Sequence, residues 1–271
     1  MGKVKKMKSI LITGGPTNEY IDEVMKITNM STGSLSVALS KFFLSAGYKV
    51  TAVFNHSVDT EKIEIMMKEE SIPADRFEVI GVETTEEMMK SIKQCSSKAN
   101  EDGWKYDAVI HAAAVGDYKG EFSFLLEDLA EELFAAKEAA KSPQDFLSIM
   151  ENPLCKLRDD TKISSYQKNL TVKLGLTPKI IASLRGWFPR ALLVGCKLLE
   201  DVPKEELYKV ATKLAAKNSM DYILANDLAD LRHGQMTRHL CTKEGFTGIE
   251  LGSPEDIFKF VDKELSEKTN D

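Results

Sequence analysis

Short apolar runs alternate with amphipathic stretches along most of this chain. Ser9-Ile10-Leu11-Ile12-Thr13 is β-branched and apolar and runs into Gly14-Gly15, which predicts a buried strand. Leu35, Leu39, Phe42 and Phe43 then recur at three- and four-residue spacing through Ala46, and Gly47 stops that helix. Lys49 to Phe54 reads as the second strand. Strand, helix and strand within about 45 residues predict a βαβ unit and a parallel sheet. Arg76 to Ile80 is a third strand candidate, and Thr84-Thr85-Glu86 opens an amphipathic helix to about Ser97. Tyr106 to Ala114 is nearly all apolar, as a central parallel strand should be.

Residues 121 to about 160 break this rhythm. Glu127 to Lys141 is acidic and alanine-rich and predicts a surface helix, and Ser142-Pro143 restarts a second one to about Met150. Thr161–Ser165 and Leu170–Leu174 read as two extended arms around a polar turn. Thr177-Pro178 predicts a helix with proline at its first position. Ala191 to Cys196 is a strand, Pro203 to Lys217 a helix, and Tyr222 to Ala225 a strand ended by Asn226-Asp227. Arg238–Thr242 and Thr247–Leu251 suggest an antiparallel pair, and Ser253-Pro254-Glu255-Asp256 caps a final helix to about Leu265. The expected fold is α/β: a Rossmann-like, mainly parallel sheet with helices on both faces, plus extended arms. One domain would span 1–271, with its core at about 8–120 and 190–267, a helical insertion at about 121–160 and a flap at about 161–176.

Composition changes little in this picture. The 271 residues are 43% hydrophobic and 29% charged, which is ordinary for a globular chain. A formal net charge of −6 argues against a general nucleic-acid binder but leaves room for an anionic small substrate. Cys95, Cys155, Cys196 and Cys241 have no CxxC spacing and read as reduced cytoplasmic thiols. The four histidines form neither HxxxH nor HExxH, so no protein-bound metal centre is expected. Lys3, Lys5, Lys6 and Lys8 precede an apolar run too short for a signal peptide, and no window is long enough to span a membrane.

The chemistry candidates gather after strands. Gly14-Gly15, after the first strand, is either a plain turn or a backbone cradle for an anion. Asn29, with Ser31, Thr32 and Gly33 behind it, reads as a helix start. It is a capping residue, an amide that holds a ligand oxygen, or both. Asp117, in Val115-Gly116-Asp117-Tyr118, ends an apolar strand where ligands of open α/β sheets bind. It caps a turn, or it meets a ligand amine, a ribose or hydrated Mg2+. Lys162 on a polar arm is a solvated charge or a ligand cation. Lys213 and Lys217 lie four apart on one helix face and form a phosphate clamp only if that face turns toward the strand ends.

Taken in order, the blocks resemble one family, the phosphopantothenate–cysteine ligases of coenzyme A biosynthesis. They are Ile12-Thr13-Gly14-Gly15-Pro16-Thr17-Asn18-Glu19 with Ile21-Asp22, Ile27-Thr28-Asn29-Met30-Ser31-Thr32-Gly33, and Ala113-Ala114-Val115-Gly116-Asp117-Tyr118. Lys162-Ile163-Ser164-Ser165, Thr177-Pro178-Lys179-Ile180-Ile181, Gly195-Cys196-Lys197-Leu198-Leu199-Glu200 and Ala225-Asn226-Asp227 follow. The resemblance implies that a nucleoside triphosphate activates 4′-phosphopantothenate as an acyl nucleotide and releases pyrophosphate. L-cysteine then displaces the nucleoside monophosphate.

It further implies roles. Asn29 holds the intermediate, and Ser31, Thr32, Gly33 and Asn226 lie on the substrate side. Gly14, Gly15, Ala113, Asp117, Lys162, Pro178, Lys179, Ile180, Ile181 and Cys196 serve the nucleotide, and Lys213 and Lys217 meet the triphosphate. CTP is favoured over ATP, Mg2+ bridges phosphates, and a homodimer is expected in which the arms complete the neighbour's site. Because the chain starts on the ligase strand, a monofunctional bacterial-type enzyme is expected. Three features depart from the family pattern: Met25 stands for its usual arginine, Cys196 for a phenylalanine beside the base, and Ser164-Ser165 for a lysine pair. Competing readings are a nicotinamide-dependent reductase and a non-catalytic nucleotide sensor. The first lacks GxGxxG, an acid after the second strand and any Tyr-x-x-x-Lys.

Overall fold

The computed structural model describes residues 7–157 and 162–268. In chain order its elements are β1 (Ser9–Gly14), β2 (Asn18–Tyr20), β3 (Lys26–Thr28), α1 (Ser34–Ser45), β4 (Lys49–Asn55), α2 (Glu61–Glu69), β5 (Phe77–Val82) and α3 (Thr85–Glu101). There follow β6 (Ala108–His111), β7 (Tyr118–Leu125), α4 (Leu126–Ala135), α5 (Pro143–Glu151), β8 (Leu170–Leu176), α6 (Ile181–Trp187) and β9 (Leu192–Leu199). The chain ends with α7 (Lys204–Asn218), β10 (Tyr222–Asp227), α8 (Leu228–Arg232), β11 (Arg238–Thr242), β12 (Gly245–Leu251) and α9 (Pro254–Glu267). Contacts divide it into two compact units: Met1–Thr17 with Met30–Val115 and Lys179–Asp271, and Asn18–Asn29 with Gly116–Pro178.

Apolar strands that bury both faces need helices on both sides, and the first unit supplies them. Its eight strands lie in the order β12-β11-β10-β9-β6-β1-β4-β5. The six from β10 to β5 run parallel, and β11 and β12 add an antiparallel edge. Ile10 and Ile12 point into one core with Leu39, Phe43, Ile63, Ile257 and Val261, from α1, α2 and α9. Leu11, between them, points into the other with Met88, Ile92, Leu184, Leu207 and Ala211, from α3, α6 and α7. This two-residue alternation within a fully buried strand is the Rossmann-like arrangement expected above. The chain winds outward in both directions from β1, so the carboxyl ends of β1 and β6 flank the point where ligands of such sheets bind.

Close approach of β1 to α1 fixes Gly14. A Cβ there would lie 2.5 Å from Ser36 Cβ and 2.9 Å from the Phe54 ring, closer than side chains pack. Gly14→Ala is expected to cost about 1–3 kcal/mol, the usual range for overpacking, read as a lowered urea midpoint at unchanged m value.

The second unit joins two antiparallel pairs. In the β2–β3 hairpin Asn18 pairs with Thr28. Asp22 shapes its turn by accepting the backbone N–H groups of Val24 (2.7 Å) and Met25 (2.6 Å). The β7–β8 ribbon pairs Tyr118 with Leu176 and Leu125 with Leu170. Gly120 lets it pass the hairpin, since a Cβ there would stand 3.2 Å from the Tyr20 carbonyl. The second helix of the insertion starts where Ser142-Pro143 indicated, with Ser142 and Asp145 forming a capping box.

Four expectations need correction. The ribbon partner of β8 is β7, so the strand that opens the 116–178 segment runs on to Leu125, inside the stretch read as a helical insertion. Residues 162–165 form no strand, because Ile163 N–H is drawn to Asp22 and Ser164 carbonyl accepts Gln167 N–H in a turn; Thr161 lies outside the described residues. Thr177-Pro178 does not open a helix. Thr177 instead extends the ribbon, its hydroxyl donating to the Gly116 carbonyl and its N–H to that of Asp117, and α6 begins at Ile181. Helix α2 was not foreseen, although Ile63, Met66 and Met67 carry its buried face at helical spacing.

Candidate active site

At the carboxyl edge of the sheet the β1 and β6 strands keep pairing beyond their regular ends. Ala114 N–H donates to the Gly15 carbonyl (2.9 Å), and Thr17 N–H to that of Ala114 (3.3 Å). Thr13 Oγ1 accepts the Ala113 N–H (3.2 Å) and lies 2.8 Å from His111 Nδ1. Gly14, Gly15 and Ala113 are thereby held side by side. Gly15 (φ 81) and Gly33 (φ 71) both take the left-handed backbone that favours glycine, and a Cβ on Gly33 would stand 3.1 Å from Gly15 N. Gly33 is also the N-cap of α1 and offers no side-chain oxygen to its N–H groups. Ser31 and Thr32 hydroxyls lie 3.4 Å from Gly33 N and Ser34 N. Gly15 and Ser31–Gly33 therefore converge at the positive end of α1, a geometry that favours an anion.

His111 was not singled out by sequence, where it is only the polar end of an apolar run. It is 7% exposed, and burial pushes its pKa down to about 4, so the ring is neutral at physiological pH. The unfolded chain, with histidine near pH 6.5, binds this proton first as pH falls. The stability that goes with burying the neutral ring is then fully present above pH 6.5 and lost toward pH 4, to the extent of about 3 kcal/mol. His111→Asn is expected to flatten this part of the acid limb, checked by urea midpoints of both proteins at pH 7 and pH 4.5.

Asn29 does not start the helix. It follows Thr28 at the end of β3, in the second unit and five residues ahead of Ser34, because Gly33 takes the cap. Its side chain is exposed, as are those of Asp117 and Lys162. Asp117 and Pro178 meet at the end of the ribbon, where Thr177 N–H donates to the Asp117 carbonyl (3.1 Å). Lys162 is positioned by its neighbour, since Ile163 N–H donates to Asp22 Oδ2 (2.9 Å). The bonds from Ile163, Met25 and Val24 hold the Asp22 carboxyl below its usual range, and the Lys162 charge adds to this. Asp22 thus ties the Lys162 segment to the hairpin that leads into Asn29. The sequence signal was Asp22 two and three residues ahead of a turn that its side chain could close.

Further along the sheet Ile180 is buried, and Ile181 packs on β9 beside Cys196, its Cδ1 3.3 Å from where a Gly195 Cβ would stand. Lys179 precedes them and is exposed. Asn226 is next to last in β10 and 8% exposed. Asp227, next to it, serves the backbone by accepting the N–H groups of Asp201 (3.0 Å), Val202 (3.1 Å) and Ala229 (2.7 Å).

Lys213 and Lys217 do not join this edge. A crossover helix runs back against its parallel strands. Helix α7 starts near Asp230, which pairs with Lys204, and ends near the start of β10, where Asp221 N–H meets the Leu193 carbonyl. The two lysines fall in its last two turns, exposed and toward the amino edge, so the clamp expected from their spacing is not formed there.

Residues 5–123 match the family model described as DNA/pantothenate metabolism flavoprotein C-terminal domain. The coenzyme A biosynthesis bifunctional protein CoaBC of Thermococcus kodakarensis is 30% identical over 221 residues, covering 82% of this chain and 41% of its own. The CoaBC protein of Vibrio cholerae is 27% identical over 264 residues, covering 96% and 52%. The chain thus spans about half the length, or less, of these curated relatives. Among solved structures, the DNA/pantothenate metabolism flavoprotein from Streptococcus pneumoniae superposes with a TM-score of 0.73 at 28% identity, over 97% of this chain and 99% of its own. A Cab2 variant in complex with phosphopantothenate-cysteine shares the fold, with a TM-score of 0.63 at 15% identity over 96% and 87%. Together with the strand order and the glycine-lined edge, these matches make the chain similar, over residues 5–123, to the DNA/pantothenate metabolism flavoprotein C-terminal domain.

Proposed function

We propose that the chain ligates 4′-phosphopantothenate with L-cysteine through an acyl-nucleotide intermediate. The observation that carries this reading is the glycine-lined, anion-accepting edge built by Gly14, Gly15 and Gly33 within the stretch that resembles this family. Relatives named for coenzyme A biosynthesis, and a structure of the same fold holding phosphopantothenate-cysteine, support it. In the first step a substrate carboxylate oxygen attacks the α-phosphorus of the nucleotide, and pyrophosphate leaves. In the second the cysteine nitrogen attacks the acyl carbonyl, the nucleoside monophosphate leaves, and the nitrogen gives up a proton. A carboxylate is a poor electrophile, so the protein's task is to position the reactants and balance phosphate charge.

Asn29 holds the acyl nucleotide with a neutral amide. Ala113, Asp117, Lys162, Pro178, Lys179, Ile180, Ile181 and Cys196 serve the nucleotide. Ser31, Thr32, Gly33 and Asn226 take the phosphopantothenate side. CTP is the preferred cosubstrate over ATP, and Mg2+ travels with the triphosphate. A homodimer is supported by one ribbon face that leaves Tyr118 (51%), Leu174 (44%) and Leu176 (69%) exposed together. No helix among the described residues is long and apolar enough to cross a membrane, and a cytoplasmic enzyme fits the scattered free thiols.

The test supplies phosphopantothenate, cysteine and either CTP or ATP, and follows pyrophosphate and the mass of the ligated product. Both are expected with CTP at higher kcat/KM than with ATP. Nucleotide binding without either product would leave only a sensor.

A further inference from the structure

Arg238 opens β11 at 7% exposure. Among the described residues its guanidinium makes one hydrogen bond, Nη1 to the Met236 carbonyl (3.0 Å), and has no carboxylate partner. Arginine keeps its charge in proteins, and a buried, unpaired cation is costly unless an anion completes it.

The sheet sets that cation beside Asn226. The register pairs Ala225 with His239, so the next step brings Asn226 opposite Arg238 on the same face. Cys196 lies on that face too, paired with Leu224, and the charge of Arg238 partly offsets the burial that raises its thiol pKa. Among the described residues the Asn226 amide has no hydrogen-bond partner, although the residue is 8% exposed. No side-chain nitrogen or oxygen that is sealed from solvent lacks a partner among the described residues. The unused donors of Arg238 and Asn226 are therefore those that open onto accessible space at the end of β10.

We infer that Arg238 and Asn226 form an anion-binding pair that takes the phosphate monoester of the substrate. This rests on the ligase reading and adds to it a residue that sequence resemblance did not supply. Most of the guanidinium fork is unused, and its planar donors match two oxygens of a phosphate, with the amide N–H2 available to a third. The monoester is favoured over the triphosphate because the pair sits at the Asn226 end of the sheet.

The test compares Arg238→Gln and Arg238→Lys with the unmodified protein, measuring KM for phosphopantothenate, CTP and cysteine separately. Arg238→Gln is expected to raise KM for phosphopantothenate on the order of 10- to 100-fold, the loss of a charge-assisted hydrogen bond, and to leave the other two within about twofold. Preference for phosphopantothenate over unphosphorylated pantothenate should fall by the same factor, and Arg238→Lys should restore part of it. A rise confined to CTP, or a lowered melting temperature with unchanged KM values, overturns the inference. Should Arg238→Gln fail to fold, the Arg238 Nε–H resonance of the unmodified protein is followed while phosphopantothenate is added. A saturable shift supports the pair, and none overturns it. If the unmodified protein forms no product but shows that shift, the ligase reading fails and the anion pair stands.

Discussion

Lys162→Gln is expected to slow acyl-nucleotide formation on the order of 100-fold, as loss of one preorganised charge at a reacting phosphate does. Its melting temperature should stay within about 2 °C of the unmodified protein, because truncating an exposed side chain costs little. The bond that fixes this segment runs from the Ile163 backbone to Asp22 and does not use the Lys162 amine. Charge and position can therefore be separated. Asp22→Asn should weaken the anchor while keeping the lysine, and should raise KM for nucleotide more than it lowers kcat. Single-turnover formation of the acyl nucleotide without cysteine measures the Lys162 effect directly. A large drop in melting temperature would make Lys162 a structural residue.

Asn29→Asp is expected to act on the other half-reaction. The substitution keeps shape and size but, on the proposed reading, puts a carboxylate where a neutral amide would meet phosphate and acyl oxygens. Like charges repel most where the intermediate is most anionic, and the side chain can no longer donate a hydrogen bond. Conversion of the acyl nucleotide by cysteine should slow on the order of 100-fold, and activation should lose less than about tenfold. The intermediate should then accumulate in the variant and be consumed slowly once cysteine is added. Equal loss in both half-reactions would argue that Asn29 only orders the loop between β3 and α1.

Much of the first unit was legible because its signals are local. Ile10 to Thr13, Lys49 to Phe54 and Ala191 to Cys196 are apolar runs closed by turn residues, and each is a strand of the parallel sheet. Ser253-Pro254 announced its helix by capping chemistry alone, as Ser142-Pro143 did in the second unit. The second unit was harder to read, because its order depends on long-range partners. Nothing near Thr177 shows that its hydroxyl will find the Gly116 carbonyl 61 positions away. Nothing near Asp22 shows that it will hold Ile163, 141 positions on.

The same limit explains the site. Gly14, Gly15, Ala113 and Asn226 lie at strand ends, where topology alone brings them to one edge. Asn29 was read as a cap because its neighbours are capping residues, yet the left-handed Gly33 claims that place. Lys213 and Lys217 have clamp spacing, but spacing along a helix does not say which edge of the sheet its last turns reach. His111 and Arg238 look ordinary in sequence; their burial, which gives them consequence, depends on how distant strands pair.

The most direct test follows exchange of labelled pyrophosphate into CTP by the unmodified protein, with phosphopantothenate present and cysteine withheld. Activation through an acyl nucleotide requires exchange that depends on phosphopantothenate, needs no cysteine, and falls strongly in Lys162→Gln. Product formation with no exchange under these conditions, or exchange indifferent to phosphopantothenate, would contradict it.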